Sequence, residues 1–213
     1  MALHDQMTFD ELNQLVGMKR SEPFDDYFAP MKLSKERKSQ RIRLAEEFDD
    51  EFLYVLSLMF YSQKFNDDVV RDLYDRYLQA MIAAGIVINN EHEMQAQKFA
   101  IQAVSTTNKH LDDPYYYSED RARLCAEDQA NFVGDISDLR EAIDAGMNYK
   151  TWETVGDDRV RPSHVEVEGV TIPIDEPFEL AGGYMMAPHD SSMGVDESEI
   201  VMCRCSLSFS RDE

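Results

Sequence analysis

The hydrophobic pattern changes period at Gly146, and that switch limits the fold more than any other feature of the chain. Before it, apolar residues recur at helical spacing, as in Ile42, Ala45, Phe48, Phe52, Val55 and Met59. After it, YKTWETV and EIVMCRCSLSF alternate with period two, and VEGVTIPI is β-branched around a glycine, so three or four strands are expected. Helices first and strands last make the chain α+β: an N-terminal helical region followed by a small C-terminal antiparallel β-sheet domain.

Three consecutive parts are expected: an arm with a short helix at 1–33, a helical region at 34–117, and an α+β domain at 118–213. Thr8 and Glu11 in TFDE have capping-box spacing and start the short helix. SEPFDDYFAPMKLS, bounded by prolines, reads as an extended arm that docks on this chain or another, with Phe24, Tyr27, Phe28 and Met31 as anchors. A long helix follows from Ser34. Its basic start, carrying Lys35, Arg37, Lys38 and Arg41, opposes the helix macrodipole, which raises the question of whether this end faces a partner; a solvated helix face is the simpler reading. NDDVVRDLYDRYLQAMIAAG and the segment from Asn90 have cap signals for two more helices. EDRARLCAEDQANFV reads as a helix ended near Gly134, and SDLREAIDAG as a separate shorter one. EPFELAGGYMMAPHDSSMGVDESE reads as a loop with short turns.

Charge and cysteine usage exclude several function classes. A formal charge of −21 repels phosphate backbones at long range, so broad electrostatic binding to nucleic acid is not expected. Three cysteines, two of them separated by one residue, do not make a secreted disulfide framework, and a reducing compartment fits better. The N-terminus lacks the basic start and apolar core of a signal peptide, and the run FLYVLSLMF is too short to span a bilayer. A soluble chain made in a cytoplasm is expected.

Against that acidic background GDDRVRPSHVEVEG stands out, and three chemistries compete for it and its neighbours. Cys203 and Cys205 with two histidines are a zinc ligand set, but thiols at i and i+2 of an extended strand lie about 7 Å apart, against about 3.8 Å for a zinc tetrahedron edge. On that spacing zinc is disfavoured unless a turn or bulge intervenes, and two small buried side chains are expected. In a nuclease, His164 would move a proton while Arg159 or Arg161 stabilised phosphorane charge. In a scaffold, Pro162 starts a helical turn, and buried arginines bonded to carbonyls and to an aspartate such as Asp175 clasp an irregular loop to the sheet. The scaffold is the simplest of the three.

KTWETVGDDRVRPSH, IPIDEPF, GGYMMAPHD and EIVMCRCSL, in that order, resemble the C-terminal domain of the phage Mu F-like family, the minor head or head-morphogenesis proteins of tailed bacteriophages. The family's Lys and Trp strand is matched by Lys150 and Trp152, and its Asp-x-Arg-x-Arg-x-x-His motif by Asp157, Arg159, Arg161 and His164. Its Phe in a proline-containing turn is matched by Phe178, and its Asn-Cys-Arg-Cys strand by Cys203, Arg204 and Cys205. RARLCAEDQANFV is similar to a family helix, with Glu127 and Asn131 at its polar positions. The likeness is specific over about 118–208. Two positions depart from it: His189 stands where the family has Gly in Pro-Gly-Asp, and Met202 replaces the Asn before the first cysteine.

The resemblance implies a structural minor head protein, without catalytic residues, bound at or near the portal, needed for head morphogenesis and in some members linked to DNA packaging or delivery. Portal and other head proteins are the implied partners, with transient proximity to packaged DNA and no membrane. The implied location is the virion head interior or portal region after synthesis in the bacterial host cytoplasm. Some members carry a toxin domain; with six residues after Leu207, a plain minor head protein is the expectation here. A nuclease or toxin-like enzyme using His164, Arg159 and Arg161 is the alternative, and DNA binding through 32–43 rests on one short basic run.

Overall fold

The computed structural model describes residues 2–20 and 22–212, and the chain divides into two compact units that are each discontinuous in sequence. The first comprises Met1–Glu22 and Arg43–Glu127, and the second Pro23–Ile42 and Asp128–Glu213.

Local signals build the first unit. Helix α1, Phe9–Val16, is capped by Thr8, whose hydroxyl accepts from the Glu11 amide at 3.2 Å while the Glu11 carboxylate accepts from the Thr8 amide at 2.7 Å. The long helix α3, Lys35–Ser62, contributes its part from Arg43 onward, burying Phe52, Val55, Leu56, Met59 and Phe60. Asn66 caps α4, Asp67–Ala83, and Gly85 closes it in a left-handed conformation that a β-carbon would disfavour. Helix α5, Asn90–Lys109, starts on an Asn89 cap and lays Ala100, Ala103 and Val104 into the same core. The tyrosine run forms a short 3₁₀ turn, Pro114–Tyr117.

The second unit begins with α2, Phe24–Phe28, in the segment expected to be an extended arm; Ser21, at its head, lies outside the described residues. Phe24, Tyr27, Phe28 and Met31 are buried, with the Tyr27 and Phe28 rings edge to face at 4.9 Å. The arm therefore folds on its own chain, because four large apolar groups gain more from burial there than from exposure.

Helix α6, Glu119–Asp144, runs unbroken through Gly134, where the sequence suggested two helices. Gly134 is no cap. A β-carbon there would sit 2.6 Å from Nε and 2.7 Å from Cζ of Arg41, so the glycine makes room for a guanidinium. Arg41 is fully buried, with Nη2 2.5 Å from Asp135 Oδ1 and Nη1 3.1 Å from Asp138 Oδ2. Arg37 Nε reaches the other Asp138 oxygen at 2.9 Å. Burial pushes the Asp138 carboxyl up from its ordinary pKa, against the pull of Arg41 and Arg37.

The sheet is small. Strand β1, Tyr149–Glu153, lies between β2, Thr171–Pro173, and β5, Ser206–Ser210, antiparallel to both, with Lys150 opposite Phe209 and Trp152 opposite Leu207. Between β1 and β2 sits the five-residue helix α7, Pro162–Glu166, with proline in its first turn. The segment read as a loop holds a hairpin of β3, Phe178–Leu180, and β4, Gly183–Met185, too short to show period two in sequence. The alternation in EIVMCRCSLSF also yields less strand than expected: Glu197–Glu199 is a 3₁₀ turn, Met202 is left-handed at φ 60°, and β5 starts only at Ser206.

The Arg41 packing predicts an inverted propensity effect. Gly134→Ala gains about 1 kcal/mol of helix propensity but displaces a buried ion pair whose disruption costs about 3–5 kcal/mol. A net loss of about 2–4 kcal/mol is expected in urea unfolding followed by the fluorescence of the one tryptophan. A stabilised Gly134→Ala protein would overturn this reading of the glycine.

Candidate functional site

The family-type motif residues converge in the second unit, most of them as buried structural groups. Lys150 and Trp152, two apart on β1, point to the same face and are fully buried. Lys150 Nζ donates to the Met186 carbonyl at 2.7 Å and lies 5.4 Å from the Phe178 ring centre. Burial lowers its pKa from 10.5 to about 8, and the carboxylates of Asp190 and Asp175 only partly offset that. The Trp152 ring meets Phe178 and His164 edge to face, at 5.1 and 5.3 Å.

The two motif arginines behave differently. Arg161 donates to the Val201 carbonyl, joining the start of α7 to the turn before β5. Arg159 is exposed, contrary to the expected buried clasp, and its Nε lies 3.6 Å from Asp157. Asp157 instead receives the buried Arg204, Nη2 to Oδ2 at 2.6 Å. Asp175 is exposed and touches neither arginine; the aspartate of the clasp is Asp157. The short connection from β1 keeps Asp157 beside the CRC turn, whereas Asp175 lies beyond β2.

His164, Cys203 and Cys205 form one buried cluster, at 1%, 2% and 3% exposure. His164 Nδ1 is 3.4 Å from Cys205 Sγ and 3.6 Å from Cys203 Sγ, and the three atoms lie within 4.8 Å of one another. The left-handed Met202 and the bond from the Cys203 amide to the Ile200 carbonyl fold the backbone back before the first cysteine. The Cys205 amide donates to Cys203 Sγ at 3.4 Å and β5 begins only at Ser206, so the two thiols are not spaced as in an extended strand, and the separation of about 7 Å does not apply. His164 Nε2 sits 3.0 Å from Glu199 Oε2, out of line for a full hydrogen bond, and Ser163 Oγ donates to that same oxygen at 2.7 Å. Burial raises the Cys203 thiol from 9.0 to about 11.

Residues expected to dock partners are mostly engaged within the chain. Besides the buried aromatics and Met31, Arg41 and Arg37 neutralise Asp135 and Asp138, and Lys38 Nζ donates to the Ala29 carbonyl at 2.5 Å. Only Lys35 of that set is exposed. The basic helix start thus answers acidic residues of α6, and Lys32 adds a pair with Glu153 and Glu168 at 3.0 and 2.6 Å. Of the two helix positions singled out, Asn131 is fully buried and donates to Tyr27 Oη and the Cys203 carbonyl, both at 3.4 Å, while Glu127 belongs to the first unit, near Arg20 and Arg123.

Sequence reasoning noted His189 only as a histidine that departs from the family pattern, and it missed Asp135, its partner. His189 is buried with Nδ1 2.8 Å from Asp135 Oδ2 and Nε2 2.8 Å from the Cys203 carbonyl. Burial favours its neutral ring, but Cys203 and the Asp135 carboxylate outweigh that and raise its pKa well above the ordinary value. The available signal was the pair of departures from the Mu F-like pattern. His189 and Met202 have φ of 67° and 60°, and the Gly and Asn they replace are the residues that adopt this conformation most readily.

A family model for phage Mu protein F-like proteins matches residues 77–208, more than half of the chain. The chain belongs to the phage Mu protein F-like family. The match takes in α5 as well as α6, the sheet and the cysteine turn, reaching further upstream than the motifs alone carried. This is a family of structural, head-related phage proteins. No curated protein and no solved structure matches the chain. No described helix is long and apolar enough to cross a membrane.

Lys150 gives the site a pH signature. Between about pH 8 and 10.5 the unfolded chain holds the proton that the folded chain has released, so this lysine makes stability rise with pH through that window. The urea midpoint of the native protein is expected to gain on that of Lys150→Met from about pH 7 to about pH 9. A constant difference between the two proteins would show that Lys150 is not strained by burial.

Proposed function

We propose that this Mu F-like chain is a minor head protein of a tailed bacteriophage that docks at or near the portal and acts as a structural part of head morphogenesis. The observation that carries the reading is the placement of His164. It is 1% exposed, and the cavity beside it, lined by Val155, Arg159, Val160 and Arg161 with the CRC turn, has room for about one water. A phosphodiester needs an open cleft with a base and a charge stabiliser facing it. Here the histidine faces sulfur and carboxylate, one motif arginine binds a backbone carbonyl, and the other points outward. These contacts hold loops to a sheet, as a scaffold must.

Net charge supports the same reading. A chain at −21 placed near packaged DNA repels it, so genome moves past without being retained. The basic run at 32–43, the one stretch with charge suited to gripping DNA, has Lys32, Arg37 and Arg41 paired with carboxylates.

The test is co-sedimentation of the full chain with the portal protein of the same phage at moderate salt. Truncation of 1–45 is unsuitable, since it removes Phe28 and Arg41 from the second unit. Stable co-migration with portal, and no retention of duplex DNA by the chain alone, are expected. Absence of portal association together with RNA or DNA cleavage lost in His164→Ala would overturn the structural role in favour of a nuclease.

A further inference from the structure

His164, Cys203 and Cys205 bring three potential metal-ligand atoms together in one buried cluster. Two thiols approach one imidazole nitrogen, at 3.4 and 3.6 Å, yet that nitrogen has a single lone pair and can accept from only one S–H. All three side chains are withdrawn from water. One positive centre between them would satisfy all three donors at once.

The distances fit such a centre. With Zn–S about 2.3 Å and Zn–N about 2.0–2.1 Å, a tetrahedral site sets nitrogen and sulfur about 3.6 Å apart and two sulfurs about 3.8 Å apart. The observed nitrogen–sulfur separations lie within about 0.2 Å of that edge, and all three atoms fall within 4.8 Å. Charge fits as well: a divalent cation with two thiolates and a neutral imidazole sums to zero, the state that burial penalises least. Two sulfurs and one nitrogen are soft ligands that suit zinc better than magnesium or calcium.

The surroundings are those of a ligand set held in place. Glu199 stands 3.0 Å from His164 Nε2, where a small ring rotation lets Nε2–H donate to it and leaves the Nδ1 lone pair facing the sulfurs. Ser163 in turn fixes Glu199. The Cys205 amide lies 3.4 Å from Cys203 Sγ and donates to it, as a thiolate requires. The cavity beside the cluster supplies space for one water as a fourth ligand.

We propose that His164 Nδ1, Cys203 Sγ and Cys205 Sγ bind one zinc ion that ties α7 to the turn before β5, with a water completing the tetrahedron. The ion would close a loop of about 40 residues between His164 and the cysteines, and this does not depend on portal docking.

The test is metal analysis of the full chain purified under reducing conditions from zinc-supplemented cells, with X-ray absorption at the zinc edge. About one zinc per chain, with two sulfur and two lighter ligands, is expected. Cobalt(II) loaded in its place should give a thiolate charge-transfer band that Cys125→Ser keeps and Cys205→Ser loses. If Cys205→Ser fails to fold, the absorption spectrum of the native protein decides alone. A folded chain with reduced thiols that holds no zinc and gives no charge-transfer band with cobalt would overturn the proposal, as would zinc bound only through oxygen and nitrogen.

Discussion

One buried guanidinium sets the arrangement of the second unit. Arg41 has no access to water, so its charge must be answered inside the protein, and Asp135 and Asp138 on α6 answer it. That demand fixes the facing surfaces of α3 and α6 and requires glycine at 134. It also passes outward: the second oxygen of Asp135 holds His189, and His189 holds the Cys203 carbonyl. The chain of contacts runs from a helix start to the turn that presents both cysteines. Each member is buried and has polar partners, although Arg41 Nε itself finds none.

The same logic separates scaffold from chemistry. Perturbed groups cluster in catalytic sites, and this unit has several, but a perturbed pKa also marks a structural network. What distinguishes them is access. Lys150 and His164 face carbonyls, rings and sulfur, with room beside His164 for no more than about one water. Membership of the phage Mu protein F-like family fits a molecule whose polar motif maintains shape.

Much of this was legible in sequence because the signals were local. Thr8, Asn66 and Asn89 cap the helices as their spacing suggested, and the change of period at Gly146 marks the passage to the sheet. The unread parts depend on distant residues. Gly134 looks like a helix end until Arg41 is placed above it, and Phe24, Tyr27 and Phe28 look like free anchors until the rest of their unit is assembled. Cys203 and Cys205 looked too far apart for a shared ligand because alternation implied an extended strand, but both precede β5, and the Cys205 amide turns back onto Cys203 Sγ. Strands of three residues, as in β3 and β4, fall below any pattern that period two can reveal.

The most direct test of Arg41's central place is a double-mutant cycle of Arg41→Met and Asp135→Asn in urea unfolding, followed by Trp152 fluorescence. Each single change is expected to cost about 3–5 kcal/mol by leaving a partner buried and unpaired, and the double to cost at least about 1 kcal/mol less than the sum. Single changes near zero, or strictly additive costs, would contradict the view that this buried pair organises the unit.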